Sequence, residues 1–244
     1  MGRLIAFLTS GLLVAGSGVA SAQVNSWNDR GFFNVSFGAT GGSGDLVSTL
    51  NFELNQEQAE ITSTQPLDGG GFFDLMAGAR LWKNLGAGFS FSSRSTTSDA
   101  AFNASIPDPI EFDRFRQVSG TTPGRDFGDT TFALLLVAGF RVTEKIDAIA
   151  FIGPAFRNVD ADLLDTATVE ETSDELNPSV TPTYKRVSET LTGVQIGVDL
   201  RYMFTPTFGG GGFLRYSGGG GDLADGARVG APGVQVGFGL RVRF

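Results

Sequence analysis

The chain has 244 residues, carries a net charge of −8, and contains neither cysteine nor histidine. The missing cysteine excludes a disulfide framework and thiol chemistry, the missing histidine removes the usual general base near neutral pH, and the acidic balance leaves no basic surface for nucleic acid. The abundance of glycine and phenylalanine, 35 and 22 residues, favours densely packed strands over helices.

The first 22 residues have the three parts of a secretory signal peptide. Arg3 is the positive n-region, residues 4–19 form an apolar stretch, and residues 20–22 are a small-residue cleavage site, so the mature chain is expected to begin at Gln23. The alternative, a transmembrane anchor, is disfavoured because glycine and serine interrupt a stretch that is short for a span. No long apolar helix follows, so any membrane integration must come from strands.

Period-two alternation of apolar and polar residues predicts eight strands. In chain order they cover residues 31–40, 72–82, 85–95, 130–142, 146–157, 188–204, 208–217 and 232–244. Short turns and long segments alternate between them, and we expect irregular loops at residues 96–129, 158–187 and 218–231. An additional acidic hairpin, with strands at residues 50–54 and 59–64, is predicted to extend beyond the rim of the main sheet.

The last strand shows the alternation most clearly. Its odd positions hold glycine, glutamine and arginine, and its even positions are the apolar residues Val234, Val236, Phe238, Leu240, Val242 and Phe244. Such a strand has one apolar and one polar face.

Strand number and loop lengths together predict a fold. An even number of strands, with short turns at one rim and long loops at the other, is typical of a closed, eight-stranded, antiparallel, up-and-down transmembrane β-barrel. Residues 23–244 would form this single all-β domain, with short periplasmic turns, long extracellular loops and both termini on the periplasmic side. Each strand is long enough to cross the hydrocarbon layer at a tilt, and closure leaves no unpaired edge in lipid.

The charged face of these strands could line a lumen or, in a lipocalin-like cup, meet water. The lumen is favoured because the apolar face carries more aromatic volume than the interior of an eight-stranded barrel holds. Glycines on the charged face would also give long arginines the space that they need. We therefore predict a lumen charge network of Asp74, Arg80, Arg94, Arg141, Asp147, Arg157, Asp199, Arg201, Arg215 and Arg241.

Four arginines of this set end the strands that would descend to the periplasm, namely Arg80, Arg141, Arg201 and Arg241. One hypothesis is a ring of arginines at the periplasmic end of the lumen, paired with Asp74, Asp147, Asp199 or nearby carbonyls. The alternative is that these side chains only reach periplasmic water.

These patterns resemble the small outer-membrane β-barrel family of Gram-negative bacteria, which includes OmpX, the OmpA membrane domain and opacity-type porin-like proteins. The resemblance covers residues 23–244. Its most specific part looks like the signal read by the barrel-assembly machinery and consists of Val236, Phe238, Leu240, Val242 and Phe244. It implies a bacterial outer-membrane location, contacts with outer-membrane lipids, lipopolysaccharide and the barrel-assembly machinery, and a monomer.

Catalysis and metal binding are not expected. Known enzymes on small outer-membrane barrels resemble one another in relying on histidine, which this chain lacks, so we expect no enzyme and no cofactor. Carboxylates in the acidic loops could bind Ca²⁺, but their spacing fits no calcium-binding template, and a solvated acidic loop is the simpler interpretation.

One predicted loop contains an apolar cluster around Ile106, Ile110, Phe112 and Phe115. It either packs against adjoining loops or forms a contact surface for a partner or for lipopolysaccharide. The expected function is thus a non-enzymatic barrel with a side-chain-filled lumen, which supports the envelope or interacts through acidic extracellular loops. The alternative is a narrow porin-like passive channel for small solutes.

Overall fold

The computed structural model describes residues 25–41, 44–67, 69–171 and 178–244. The predicted signal peptide, residues 1–22, lies outside the described residues. Within those ranges, no helix has the length and apolar character needed to span a membrane.

The described chain is built of strands joined by turns. In order these are β1 (Asn25–Ser26), β2 (Gly31–Thr40), β3 (Leu46–Leu54), β4 (Glu57–Gln65), β5 (Gly71–Trp82), β6 (Leu85–Pro107), β7 (Phe115–Arg141), β8 (Ile146–Glu170), β9 (Ser179–Met203), β10 (Phe208–Ser217), β11 (Gly221–Asp222), β12 (Arg228–Val229) and β13 (Gly233–Arg243). A single 3₁₀ turn at Ala224–Gly226 is the one helical element of the described residues.

Eight strands close into a ring in the order β2, β5, β6, β7, β8, β9, β10 and β13. All neighbours are antiparallel, and β13 returns to pair with β2 from Arg243 opposite Phe32 to Gln235 opposite Thr40. The predicted closed, eight-stranded, up-and-down antiparallel barrel is therefore confirmed. Closure leaves no free edge in the part of the wall that these pairings cover.

The short connections lie together at one end, which we call the lower rim. They are the turn at Lys83 and Asn84, residues 142–145 and residues 204–207. The described termini meet at the same rim, where the Gly31 N–H donates to the Phe244 carbonyl at 3.0 Å and the Phe244 N–H donates back at 3.1 Å. This arrangement agrees with the predicted placement of short turns and termini.

The irregular loops predicted at residues 96–129 and 158–187 are wrong. The chain instead continues as regular strand, so that β6 to β9 each have 23 to 27 residues. The β6–β7 connection shrinks to residues 108–114. The hairpin predicted at residues 50–54 and 59–64 is confirmed as β3 and β4, each somewhat longer than expected.

We call the part above the barrel the upper extension; it comprises β3, β4, residues 96–127 of the β6–β7 hairpin, residues 159–171 of β8 and its end, and residues 179–190 of β9. There β4 pairs with β6, which joins the β3–β4 hairpin to the β6–β7 hairpin. This sheet packs against the β8–β9 hairpin, and the Leu164 N–H donates to the Ser48 hydroxyl at 3.2 Å. Between them lies a buried apolar core of Ala59, Ile61, Phe102, Ala104, Ile106, Leu164 and Val180.

Glycine and phenylalanine are paired across the strands inside the barrel. Phe32 lies opposite Gly78 and Phe213 lies opposite Gly237. A side chain added at either glycine would place its Cβ 2.6 Å from the phenylalanine ring. Each glycine therefore leaves room for a ring that covers the neighbouring strand, an arrangement that pins strand register.

Candidate functional site

The outward face of the sheet changes its polarity at one level of the barrel. On β8 the outward side chains from Ile146 to Phe156 are apolar or small, and those at the next outward positions are Asn158, Asp160 and Asp162. The inward side chains are mixed below this level, where Ile149 and Phe151 lie beside charged residues, and they are apolar above it. Arg157 is buried below it, and Val159, Ala161 and Leu163 are buried above it.

The outward faces of the neighbouring strands change at the same level. Outward side chains of β9 are apolar from Phe204 up to Val194 and then become Thr192, Thr190 and Ser188. On β7 the exposed residues Leu136, Leu134 and Phe132 give way to Thr130 and Asp126. The apolar segments of β8 and β9 are each about eleven residues long, which is the length of a tilted transmembrane strand. The outward side chains of the lower half of the barrel are thus apolar, as on a membrane-facing surface, and those of the upper extension are polar, as on a surface in water.

The lumen holds four groups of charged side chains and a buried apolar cluster of Trp27, Phe32, Met76, Ala133, Leu135, Val137, Ile149, Phe151 and Ala155. The uppermost group is centred on Asp129, which accepts from Arg157 at 2.9 Å and from Arg94 at 3.4 Å. Arg157 also donates to the carbonyls of Gly219 and Gly230, at 3.0 and 2.8 Å. Through these bonds the segment between β10 and β13 is held across the upper mouth of the barrel.

The second group lies midway along the lumen around Arg215. Its guanidinium reaches Asp74 at 2.5 Å, although β10 and β5 stand on different sides of the β13–β2 pair. The same guanidinium donates to the Gln235 amide oxygen at 2.6 Å. The Gln195 amide lies between it and the Ser90 hydroxyl of β6, at 2.9 and 2.6 Å in the amide orientation that satisfies both. These contacts cross the lumen.

The third group is centred on Asp199. It pairs with Arg241 at 2.7 Å and with Arg201 at 2.9 Å. Arg241 additionally donates to the Ser36 hydroxyl at 2.7 Å, and the Arg201 guanidinium stacks over the Phe32 ring with 4.2 Å to its centroid. The two guanidiniums thus share one carboxylate, and further contacts to a hydroxyl and to an aromatic ring supplement this pairing.

The fourth group closes the lower rim. Asp147 pairs with Arg243 at 2.5 Å and with Arg141 at 3.6 Å, and both arginines also approach Asp29. The N-terminal segment crosses below, because Trp27 is only 4% exposed and covers Gly139. The Trp27 carbonyl accepts a hydrogen bond from Arg80 at 3.0 Å.

The ten residues of the predicted lumen network all lie inside the barrel or at its lower rim. Of the four arginines considered for a ring, Arg201 and Arg241 are buried on Asp199, whereas Arg80 and Arg141 are half-buried near the rim. Asp74 pairs with Arg215 and not with that set. Three residues of the lumen were not in the predicted network: Asp129 was placed in a loop, Asp29 precedes the first predicted strand, and Arg243 was placed only on the charged face of the last strand.

The described lumen holds more positive than negative charge. Its charged side chains are Arg80, Arg94, Arg141, Arg157, Arg201, Arg215, Arg241 and Arg243 with Asp29, Asp74, Asp129, Asp147 and Asp199. Most of the acids of the chain therefore lie elsewhere, chiefly on the upper extension. Among the residues that the structure describes, no group of three or more acids could jointly hold a metal ion.

The C-terminal residues predicted to form an assembly signal lie on the outer face. Val236, Phe238, Leu240, Val242 and Phe244 are all more than half exposed. They alternate with the inward-facing arginines of β13. This segment is accessible from the side on which lipid is expected.

The apolar cluster predicted near residue 110 divides into two parts. Ile106 is buried in the core of the upper extension, so packing accounts for it. Ile110 and Phe112, at the tip of the β6–β7 hairpin, are each 72% exposed.

Comparisons with known proteins give structural matches without sequence similarity. No protein-family profile and no curated protein sequence matches the chain. Ail, the attachment invasion locus protein of Yersinia pestis, in complex with the heparin analogue sucrose octasulfate, matches 87% of this chain and 99% of its own at 13% identity and a TM-score of 0.40. OprG from Pseudomonas aeruginosa, an outer membrane protein, matches 88% and 96% at 10% identity and a TM-score of 0.49.

A third match is the outer membrane protease OmpT from Escherichia coli. It covers 92% of this chain and all of its own, at 13% identity and a TM-score of 0.40. The assignment of the fold rests on the strand pairing of this chain itself.

Proposed function

We propose that the chain is a non-enzymatic outer-membrane β-barrel of a Gram-negative bacterium, which crosses the membrane with its lower half and presents an acidic upper extension outside the cell. The observation that carries the proposal is the change of polarity along the outward faces of β6 to β9. A face that is apolar over one membrane thickness and hydrophilic immediately beyond fits a boundary between lipid and water.

Energetics favour lipid around the lower half. Large apolar side chains such as Leu136, Val198 and Phe238 stand outward there with about half or more of their surface uncovered. Complete burial of one such side chain is favourable by about 1.5–3 kcal/mol, and roughly half of that remains to be gained from lipid for a side chain that is half uncovered. The lipocalin-like alternative would leave all of them in water and would keep the charged groups in its binding cavity, so the structure gives it no support.

The filled lumen favours a structural or surface-presenting role over the porin-like alternative. Arg215 bonds to Asp74 across the barrel, and Gln195 bridges Arg215 and Ser90. The upper mouth is crossed by the segment that Arg157 holds, and Trp27 fills the lower mouth. Eight-stranded barrels of this kind are normally filled by side chains.

The lumen also gives no support to catalysis. Its arginines and aspartates are engaged with each other, and the chain has no histidine to serve as a base. We accordingly assign no cofactor.

Lipid, lipopolysaccharide and the barrel-assembly machinery are the partners proposed for the lower half, in which the exposed C-terminal residues would meet the assembly machinery. Anionic headgroups would repel the acidic side chains above the boundary, such as Asp160 and Asp162, and so keep the upper extension upright. A monomer is proposed because the ring closes within one chain.

Cell fractionation with heat-modifiability on a gel tests the compartment and the barrel together. The protein is expected in the outer-membrane fraction, with an N-terminus at Gln23 and a mobility that changes on boiling. A soluble periplasmic protein without such a shift would contradict the proposal. Planar-bilayer recordings separate the two roles, because a filled lumen predicts no stable conductance steps and a porin-like channel predicts them.

A further inference from the structure

The tip of the β6–β7 hairpin presents two large apolar side chains to solvent. Ile110 and Phe112 are each 72% exposed, and Phe115 is 44% exposed. They are the large apolar residues most exposed in the described upper extension, whose other large apolar side chains are mainly packed in its cores. Exposed apolar clusters of this kind mark interaction sites.

The tip has a defined conformation. The Asp108 carboxylate accepts hydrogen bonds from the N–H groups of Ile110 at 2.9 Å and Glu111 at 3.3 Å. The Asp113 N–H donates to the Glu57 carboxylate of the β3–β4 hairpin at 2.9 Å, so the two hairpin tips are tied together. A pre-organised apolar surface loses less conformational entropy when it binds than a free loop does.

A second tie fixes the base of the tip. Arg116 forms a bidentate pair with Glu171 of the β8–β9 connection, at 2.7 and 2.8 Å. The Arg116 guanidinium also donates to the Pro107 carbonyl at 3.0 Å. The β3–β4 hairpin and the β8–β9 connection therefore both hold the β6–β7 tip in place.

The position of the tip excludes the surrounding membrane as its target. The outward face of β6 becomes polar at Ser93, and the strand continues to Pro107. The strand from Ser93 to Pro107 rises about 3.3 Å per residue at a tilt near 40°, so it places the tip about 35 Å above the apolar outward surface of the lower half. Ile110 and Phe112 thus do not reach the acyl chains of the membrane that the barrel spans.

The charge around the tip indicates the chemistry of a partner. The surrounding acids are Glu53, Glu57, Asp108, Glu111, Asp113 and Glu171, and the surrounding bases are Arg114 and Arg116. Hydrogen bonds from the Ile110 N–H and from Arg116 lower the pKa of Asp108 and of Glu171, respectively, so both carboxylates stay ionised in mildly acidic medium. Arg114 pairs with Glu111 and Arg116 pairs with Glu171, so the six acids and two arginines leave a net charge of −4 around the tip.

We infer that the tip is a docking surface for a cationic polypeptide, whose apolar side chains would cover Ile110 and Phe112 while its lysines or arginines meet the surrounding carboxylates. This inference rests on the proposed function, since it requires the upper extension to stand outside the membrane. Charge complementarity selects a basic protein surface and disfavours polyanions such as sulfated polysaccharides.

A binding assay on the mature chain in phosphatidylcholine nanodiscs tests the inference. The probe is a short peptide of alternating lysine and tyrosine, with a glutamate–tyrosine peptide and heparin as comparisons and empty nanodiscs as background. Ile110→Ser/Phe112→Ser should weaken binding by at least about tenfold, as truncation of central apolar anchors does. Glu111→Gln/Asp113→Asn should weaken it several-fold, and added salt should weaken it further.

The matched control is Asp222→Asn/Asp225→Asn, which removes two exposed acids from the β10–β13 connection. Binding within about twofold of the unaltered protein is expected for it, as for a charge outside the interface. The inference would be overturned by absent binding of the lysine–tyrosine peptide, by unchanged binding of Ile110→Ser/Phe112→Ser, by an equal loss in the control, or by equal binding of heparin. Heat-modifiability of the same nanodisc sample distinguishes these results from failure of the proposed function, which would appear as an unfolded barrel.

Discussion

Lysine substitutions along the outward face of β9 would measure the membrane boundary directly. Val198 lies within the apolar segment from Val194 to Phe204, close to its centre, and is 47% exposed. Thr190 is on the same strand and the same face, but it stands above the level at which polarity changes. The two sites therefore differ in the surrounding medium and little in backbone environment.

The expected costs follow from depth. A lysine on the lipid face costs about 2–4 kcal/mol at the bilayer midplane and about 0–1 kcal/mol near an interface. We expect Val198→Lys to fall in the first range and Thr190→Lys to change the free energy of unfolding little. A difference of about 2 kcal/mol corresponds to a roughly 30-fold change in the folding equilibrium.

Urea-induced unfolding of the protein in phospholipid vesicles, followed by tryptophan fluorescence, provides the assay. Both variants should retain their heat-modifiable band, which shows that the barrel forms. If both substitutions were nearly neutral, the outward face of the lower half would be in water and the reasoning would fail. If Thr190→Lys were as costly as Val198→Lys, the boundary would be misplaced.

Three further predictions concern the lumen and the tip. Arg215→Met leaves Asp74 buried without its cation and should destabilise the barrel by about 3–5 kcal/mol in the same assay. Arg228→Met, in the exposed pair with Asp222, should cost less than about 1 kcal/mol. Similar costs for the two variants would show that the buried pair is not important for stability. Gly197→Ala should impair assembly because its Cβ would lie 2.6 Å from the Arg215 Cβ, while Gly41→Ala, with 3.7 Å to the nearest atom, should assemble normally on the heat-modifiability gel. Hydrogen bonds from the Ile110 and Glu111 N–H groups lower the pKa of Asp108. The tip conformation should therefore persist as pH falls through the ordinary titration range of a carboxyl group and be lost only below that range. An NMR chemical shift of the Ile110 amide that titrates with a usual aspartate pKa would contradict this.

The lower half of the barrel could be predicted from the sequence almost strand by strand. In β13 and in the lower part of β9, an apolar residue stands at every second, outward-facing position, as a membrane-spanning strand would require, so the alternation is strict. Ring closure and the inward placement of Asp199 and Arg201 follow from that pattern. The pairs themselves do not, because Arg215 and Asp74 lie far apart in sequence and meet only across the closed lumen.

The upper extension was missed for a related physical reason. Above the boundary the apolar side chains belong inside and the polar ones outside, so the alternation continues with its sign reversed. The predicted strand ends near residues 95, 130, 157 and 188 all fall where this reversal occurs on β6 to β9. Short inward residues such as Ala100 and Ala104 weaken the contrast between apolar and polar positions, so a loop was predicted there. Trp27 and Asp29 escaped notice because residues 25–30 have no alternation at all.

Single-cysteine labelling along the outward face of β9 would show directly where lipid covers the barrel, and the chain has no cysteine of its own to interfere. Each outward position from Ser188 to Tyr202 would be replaced in turn and treated with a membrane-impermeant maleimide in outer-membrane vesicles. The account predicts rapid labelling at Ser188, Thr190 and Thr192 and protection from Val194 to Tyr202, with detergent-free unfolding in urea restoring reactivity. Uniform labelling along the whole face would contradict it, because the apolar band would then be in water.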